Sequence, residues 1–287
     1  MQAQEMNALK NSYAALAILL FCSSATAFQW PENKKSAVSL TSDDGWNSQL
    51  LQADILDARG IKGTFYLTVV GMGMARVAAH AKKWAKVHRR GHEVGNHSFS
   101  HWDDRVLATK TKHDIADDVG NMEAWLLQHV YGNVPVDHTF AYPQGNGTVG
   151  SQEIDERKQA GACEYERLLS PMVSGARTLG SGENRPEMIA RRRFSISGIA
   201  IDGDDETAFN RAKKAIDNGI TKGTWTVAVF HSLGDEGDGY SISRAAYTRI
   251  ADYLVLRRAD LYIAPVVTVK NHIVANTPRA DSACALQ

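Results

Sequence analysis

Two adjacent carboxylates, Asp43 and Asp44, stand in the stretch "TSDDGWNS" (41–48), directly after an apolar run and before Gly45. A carboxylate at the end of a buried strand is costly unless it is paired or ligated, so the pair points to chemistry. Two histidines answer it. His97 and His101, in "NHSFSH", are four residues apart, and one helical turn would aim both imidazoles the same way, as a metal-binding pair requires. Asp44 could supply an oxygen to complete a set of three protein ligands. Open positions would remain for water or substrate, the arrangement of a catalytic metal rather than a structural one. His231, in "VFHS", is a third histidine at the end of an apolar run. Two competing motifs fail. "HEVGNH" separates His92 and His97 by five, which is not the spacing of a zincin, and in "GMGMAR" Arg76 takes the place of the third glycine of a dinucleotide-binding loop.

These residues need a frame to bring them together. Short apolar or alternating runs of strand length occur at 36–41, 63–70, 92–98, 138–142, 193–197, 225–232 and 261–265. Helical periodicity runs over 47–59, 112–131 and 243–257, with Ile115, Val119, Met122 and Leu126 on one face of the second. The alternation predicts parallel strands with crossover helices, in a barrel or a doubly wound sheet. In either, chemistry collects at the C-terminal ends of the strands, where Asp43, Asp44, His97, His101 and His231 all fall.

Composition narrows the partners. The 287 residues are 44% hydrophobic and 22% charged, with 32 basic and 32 acidic side chains. That balance excludes a nucleic-acid footprint and suits a neutral partner. The N-terminus is a different kind of sequence. Lys10, the apolar run from Tyr13 to Cys22 and the small residues Ala25 and Ala27 read as a secretory signal peptide over 1–27, cleaved after Ala27. The run is too short for a membrane span, which takes roughly 20 residues. The expected product is a secreted or periplasmic domain, 28–287, with no stable membrane span and two cysteines, Cys163 and Cys284, whose pairing spacing alone leaves open.

In this order along the chain, "SLTSDDG", "HSFSH", "FAYPQGN" and "VFHS" resemble the motifs of the polysaccharide deacetylases, carbohydrate esterase family 4 with the NodB-homology domain. The resemblance implies a distorted (β/α) barrel of seven or so parallel strands and metal-dependent removal of acetyl groups from a sugar. By motif position, Asp43 matches the general base, Asp44, His97 and His101 match the metal ligands, and His231 matches the general acid. Asp43 would accept a proton as metal-bound water attacks the acetyl carbonyl, and His231 would protonate the leaving group. Tyr142, Pro143 and Gln144 correspond to the segment that binds substrate, with the Gln144 amide as oxyanion donor. The implied metal is Zn2+, with Co2+ or Ni2+ fitting the same ligands.

Two positions depart from the family's pattern. Ser42 replaces a phenylalanine, and Ala141 replaces the arginine that pairs with the base. "ARRRFSIS" offers Arg193 as a substitute, and Asp202 is the candidate brace for His231. Three readings follow. The chain is an N-deacetylase of a polysaccharide or oligosaccharide containing N-acetylglucosamine, an O-acetyl esterase on a plant-type glycan such as acetylxylan, or a non-catalytic carbohydrate-binding relative. A non-catalytic relative would be expected to have lost the base or a ligand, and all five residues are present.

Overall fold

A computed structural model of the chain describes residues 28–71, 75–148, 155–234, 236, 239–278 and 284, with backbone alone over 155–161. The expected signal peptide, 1–27, lies outside the described residues. Among the described residues there are nine strands: β1 (Ser36–Asp43), β2 (Thr64–Leu67), β3 (Glu93–Asn96), β4 (Phe140–Ala141), β5 (Ala176–Leu179), β6 (Glu183–Asn184), β7 (Ile196–Ala200), β8 (Trp225–Phe230) and β9 (Leu261–Ile263). The helices are α1 (Ser48–Asp57), α2 (Ala75–Ala79), α3 (Ala81–Arg89), α4 (Asp104–Leu107), α5 (Lys112–His129), α6 (Asp155–Leu169), α7 (Pro186–Arg191), α8 (Asp205–Lys222), α9 (Arg244–Leu256) and α10 (Val266–Asn276).

Seven parallel strands close a barrel in the order β1, β2, β3, β4, β5, β7, β8, the ring being completed by β8 against β1. Short strands suffice because β1, β2, β3, β4 and β8 are buried on both faces, and helices cover the outside. The other two strands fill gaps. β9 pairs with the N-terminal half of β1 (Ser36 with Leu261), leaving the C-terminal half of that edge to β2 (Thr41 with Thr64). β6 runs antiparallel to the start of β8. The helix boundaries follow local chemistry. Thr111 and Asp114 form a capping box that opens α5, and Gly223, at φ 70°, takes the left-handed conformation that ends α8.

The largest apolar cluster lies under α1, α3, α5, α8 and α9, where Leu56, Trp84, Met122, Ile216 and Leu254 are fully buried. A second cluster seals the N-terminal end of the barrel, with Val269 and Ile273 of α10 against Trp225 and Ile196. The Val266 and Val267 amides bond to Thr64 Oγ1 and Glu93 Oε2, both at 2.9 Å, so the floor is pinned to β2 and β3. The expected strand at 193–197 begins three residues later, at Ile196, because Arg191 ends α7 and the chain needs four residues to turn. The short strand β5 carries no expectation from the sequence. Cys163 and Cys284 are joined in a disulfide, with Cα atoms 5.2 Å apart. Among the described residues, no helix is long and apolar enough to cross a membrane.

Candidate metal and catalytic site

All five sequence-predicted polar residues converge at the C-terminal rim of the barrel, lining one cavity of about 240 Å³. Asp43 is the last residue of β1, and Asp44 follows it in the left-handed region at φ 80°. His97 comes directly after β3. The segment from His97 to His101 is a loop and not the helical turn expected from the spacing, with Ser98 at φ 63° and His101 at φ 48°. The imidazoles still meet, their ring centroids 4.8 Å apart. With Gln144, at φ 57°, four non-glycine residues in the left-handed region thus sit at this site, the usual place for strain held by its surroundings. Gly71 makes room for the loop, since a Cβ there would lie 2.3 Å from the Ser100 carbonyl oxygen and 2.5 Å from His101 Cβ.

Asp44, His97 and His101 can each offer a ligand atom, all within 4.8 Å of one another. Asp44 Oδ1 lies 3.4 Å from His97 Nε2 and 3.3 Å from His101 Nε2. These separations are long for hydrogen bonds, and Oδ1 is buried with no hydrogen-bond partner. They match the spacing of about 3.0–3.4 Å between ligand atoms that share a zinc-sized ion at 2.0–2.2 Å. The residues therefore fit a divalent metal. His97 Nδ1 is 2.7 Å from the Ala141 carbonyl oxygen, which fixes the ring so that Nε2 faces the site. Electrostatics favour a cation too. Burial works to raise the Asp44 pKa, but the His97 ring beside it, with the charges of His231 and His101, holds it well below the usual carboxylate range. Burial pushes His101 down to about 4. It acts the same way on His97, where Asp43 and Asp44 outweigh it and raise the pKa.

Arg177, not Arg193, is the arginine against Asp43. From β5 its Nη2 reaches across the barrel interior to Asp43 Oδ2, and it is wholly buried. Arg193 ends at the other face of the molecule, beside Phe194 and Lys270. Its place just after α7 points it away from the barrel axis, so it cannot tune the site. Asp202 is also misplaced as a brace for His231, being paired with Arg211 at 2.5 Å. His231 follows β8, with Nε2 4.0 Å from Asp44 Oδ2 and its ring 5.4 Å from Tyr240. Of Tyr142, Pro143 and Gln144, only Gln144 lines the cavity, at φ 57°. The Tyr142 ring packs between Phe140 and Tyr165, on the core side.

The sequence also passed over Trp46, Leu179, Tyr240, Gln49 and Gln52. Trp46 Nε1 donates to Asp44 Oδ2 at 3.3 Å, and Leu179 and Tyr240 line the cavity. Their signal is positional. Trp46 lies two residues from a ligand and Leu179 ends a strand, but neither residue type announces chemistry.

The sequence model described as polysaccharide deacetylase matches residues 31–163. Over 100 residues the chain is 32% identical to a chitin deacetylase of Pestalotiopsis sp, a match covering 34% of this chain and 31% of that protein. The matched stretch thus spans about a third of the curated relative's length. Among solved structures, the catalytic domain of a peptidoglycan N-acetylglucosamine deacetylase from Eubacterium rectale superposes with a TM-score of 0.53 at 16% identity, covering 91% of this chain and 98% of that one. A carbohydrate esterase family 4 pseudoenzyme from Bacillus anthracis gives a TM-score of 0.53 at 17% identity, covering 84% and 66%. At these identities the structural likeness is one of fold. Residues 31–163 thus carry the match to the polysaccharide deacetylase family, and the barrel around them is the fold of the solved deacetylase structures.

Proposed function

We propose that this chain is an exported, metal-dependent deacetylase acting on glycan that contains N-acetylglucosamine. The observation that carries the reading is the convergence of a three-ligand set, an arginine-paired carboxylate and a histidine on one cavity. Zinc, cobalt or nickel held by Asp44, His97 and His101 would supply Lewis-acid polarisation of the acetyl carbonyl and a more acidic water.

The protein's own groups divide the remaining work. Asp43 Oδ2 is taken by Arg177, while Oδ1 is buried without a partner. Oδ1 is thus the atom that accepts the proton from the attacking water. The Gln144 backbone N–H, held in its left-handed turn, is the donor for the developing oxyanion. Leu179 and Ala200 bound the cavity with apolar surface suited to the acetyl methyl. His231, half-buried at the mouth, donates a proton to the departing sugar nitrogen. Export is supported by the leader-like composition of residues 1–27 and by the disulfide, which persists in oxidising compartments.

The test is acetate release by residues 28–287, loaded in turn with zinc, cobalt and nickel, from N-acetylglucosamine oligomers and from acetylxylan, with and without EDTA. Release from the N-acetyl oligomers that EDTA abolishes is the expected result. No release from either substrate with any metal refutes the reading, and turnover confined to acetylxylan moves the substrate to the O-acetyl class.

A further inference from the structure

We infer that Gln49 and Gln52 are positioning residues that hold Asp43 and His231 in a fixed mutual register, an inference that rests on the base and acid roles proposed above. The two glutamines are three residues apart on α1, on the face turned toward the barrel, and both are fully buried. Gln49 Nε2 donates to the Asp43 carbonyl and, at 3.2 Å, to the His231 carbonyl. Gln52 Nε2 donates to the same His231 carbonyl at 2.8 Å, and its Oε1 accepts from Ser42 Oγ at 2.5 Å.

The location explains the need. The ladder between β1 and β8 ends with Ser42 opposite Phe230, so Asp43 and His231 lie one residue beyond it. Past that point no strand pairing fixes one backbone against the other. The amides of α1 extend the tie by that one residue, joining the carbonyls of the two residues whose side chains move protons in the proposed reaction. Ser42, which replaces the family's phenylalanine, supplies the hydroxyl that orients Gln52. A helix face turned to a core ordinarily carries apolar side chains, and a buried amide is tolerated only when hydrogen-bonded. Gln49 Oε1 is nevertheless buried without a partner. A core selected for stability alone has no reason to retain that penalty, whereas a device for alignment needs only the donating end.

Misplacement of a reacting group by about 1 Å can cost on the order of 10²-fold in rate, so loss of the clamp should appear in turnover and not in binding. The experiment compares Gln49→Met, Gln52→Met and the milder Ser42→Ala with the wild type, all metal-loaded, on an N-acetylglucosamine oligomer and on 4-nitrophenyl acetate, whose leaving group needs no proton. For Gln52→Met, kcat on the oligomer should fall about tenfold with KM within about twofold, and turnover of the aryl ester should fall much less. Ser42→Ala should show the same pattern at smaller amplitude, which keeps the test alive should the Met variants fold poorly. Equal loss on both substrates, or wild-type kcat, overturns the inference. A crystal structure of Gln52→Met gives a readout independent of activity. The separation of His231 Nε2 from Asp44 Oδ2, 4.0 Å in the wild type, should change by more than about 0.5 Å, the tolerance of a working site. An unchanged separation overturns the clamp even for an active enzyme. A wild type inactive on every substrate defeats the functional reading instead, and the crystal geometry then decides for or against the clamp.

Discussion

Arg177, on β5, the fifth strand of the ring counted from β1, pairs with Asp43 across the barrel interior, with neither side chain more than 5% exposed. Removing one partner of a buried pair leaves the other charge uncompensated, at about 3–5 kcal/mol. Arg177→Met should therefore lower both unfolding stability by about that amount and turnover by about 10²-fold or more, while metal content stays at the wild-type level. Urea denaturation and metal analysis check it together. A variant of wild-type stability would remove the case for the pair.

The adjacent aspartates should separate by experiment. Asp43→Asn keeps the metal and loses about 10²–10⁴-fold in turnover, because an amide cannot accept the proton. Asp44→Asn loses the metal first, since its Oδ1 sits between the two imidazoles. Metal content measured beside acetate release distinguishes the two, and the reverse pattern would exchange the roles.

Acid sensitivity should be traceable to His92, outside the site. Its Nδ1 accepts from the Gly63 amide at 3.0 Å and its Nε2 lies 3.0 Å from Asp57 Oδ1, so the neutral ring is satisfied at both ends. Burial depresses its pKa to about 4, and Asp57 offsets only part of that. The unfolded chain takes up this proton near the ordinary value of about 6.5 and the folded chain resists it. The contribution is therefore complete above pH 6.5 and is lost as pH falls toward 4, reaching about 3 kcal/mol at most. Denaturation midpoints between pH 7.5 and 4.5 should fall more steeply for the wild type than for His92→Gln, whose amide can serve both partners. Parallel curves would clear His92 of the effect.

The disulfide between Cys163 and Cys284 closes a sequence separation of 121 residues. Its loss in Cys284→Ser should cost about 2–5 kcal/mol in unfolding stability. Alkylation without reduction, read by mass spectrometry, should label neither cysteine of the oxidised protein. Labelling of Cys163 under those conditions would contradict the bond.

The rim was legible in the sequence because carboxylates and histidines at the ends of apolar runs are anomalies that local pattern exposes. Asp43, Asp44, His97, His101 and His231 were found that way. Arg177 was not. It sits in "GARTL", a four-residue strand in which a lone arginine looks like a surface residue, and its justification is Asp43, 134 residues earlier. Gln49 and Gln52 were hidden for the same reason, since a glutamine on a helix reads as solvated until the carbonyls it caps are known. The absence of the usual arginine at Ala141 was the available clue, and Ala141 is in fact the register neighbour of Arg177 on the next strand. The charge had moved one strand along the ring. The basic run at 191–193 drew attention by its density, which is a property of exposed turns.

The closing of the barrel has a consequence for how the protein is made. Ala37 pairs with Trp225 and Ser36 with Leu261, so the first strand, which can meet β2 early, finds its other two partners only after most of the described chain has been synthesised. Until then one edge of β1 is open to other chains, and segment 31–163, though it carries Asp43, Asp44, His97 and His101, has no floor and no closing strand. Such long-range pairing is slow to form, so the barrel, and with it the rim where the five polar residues meet, closes late in folding.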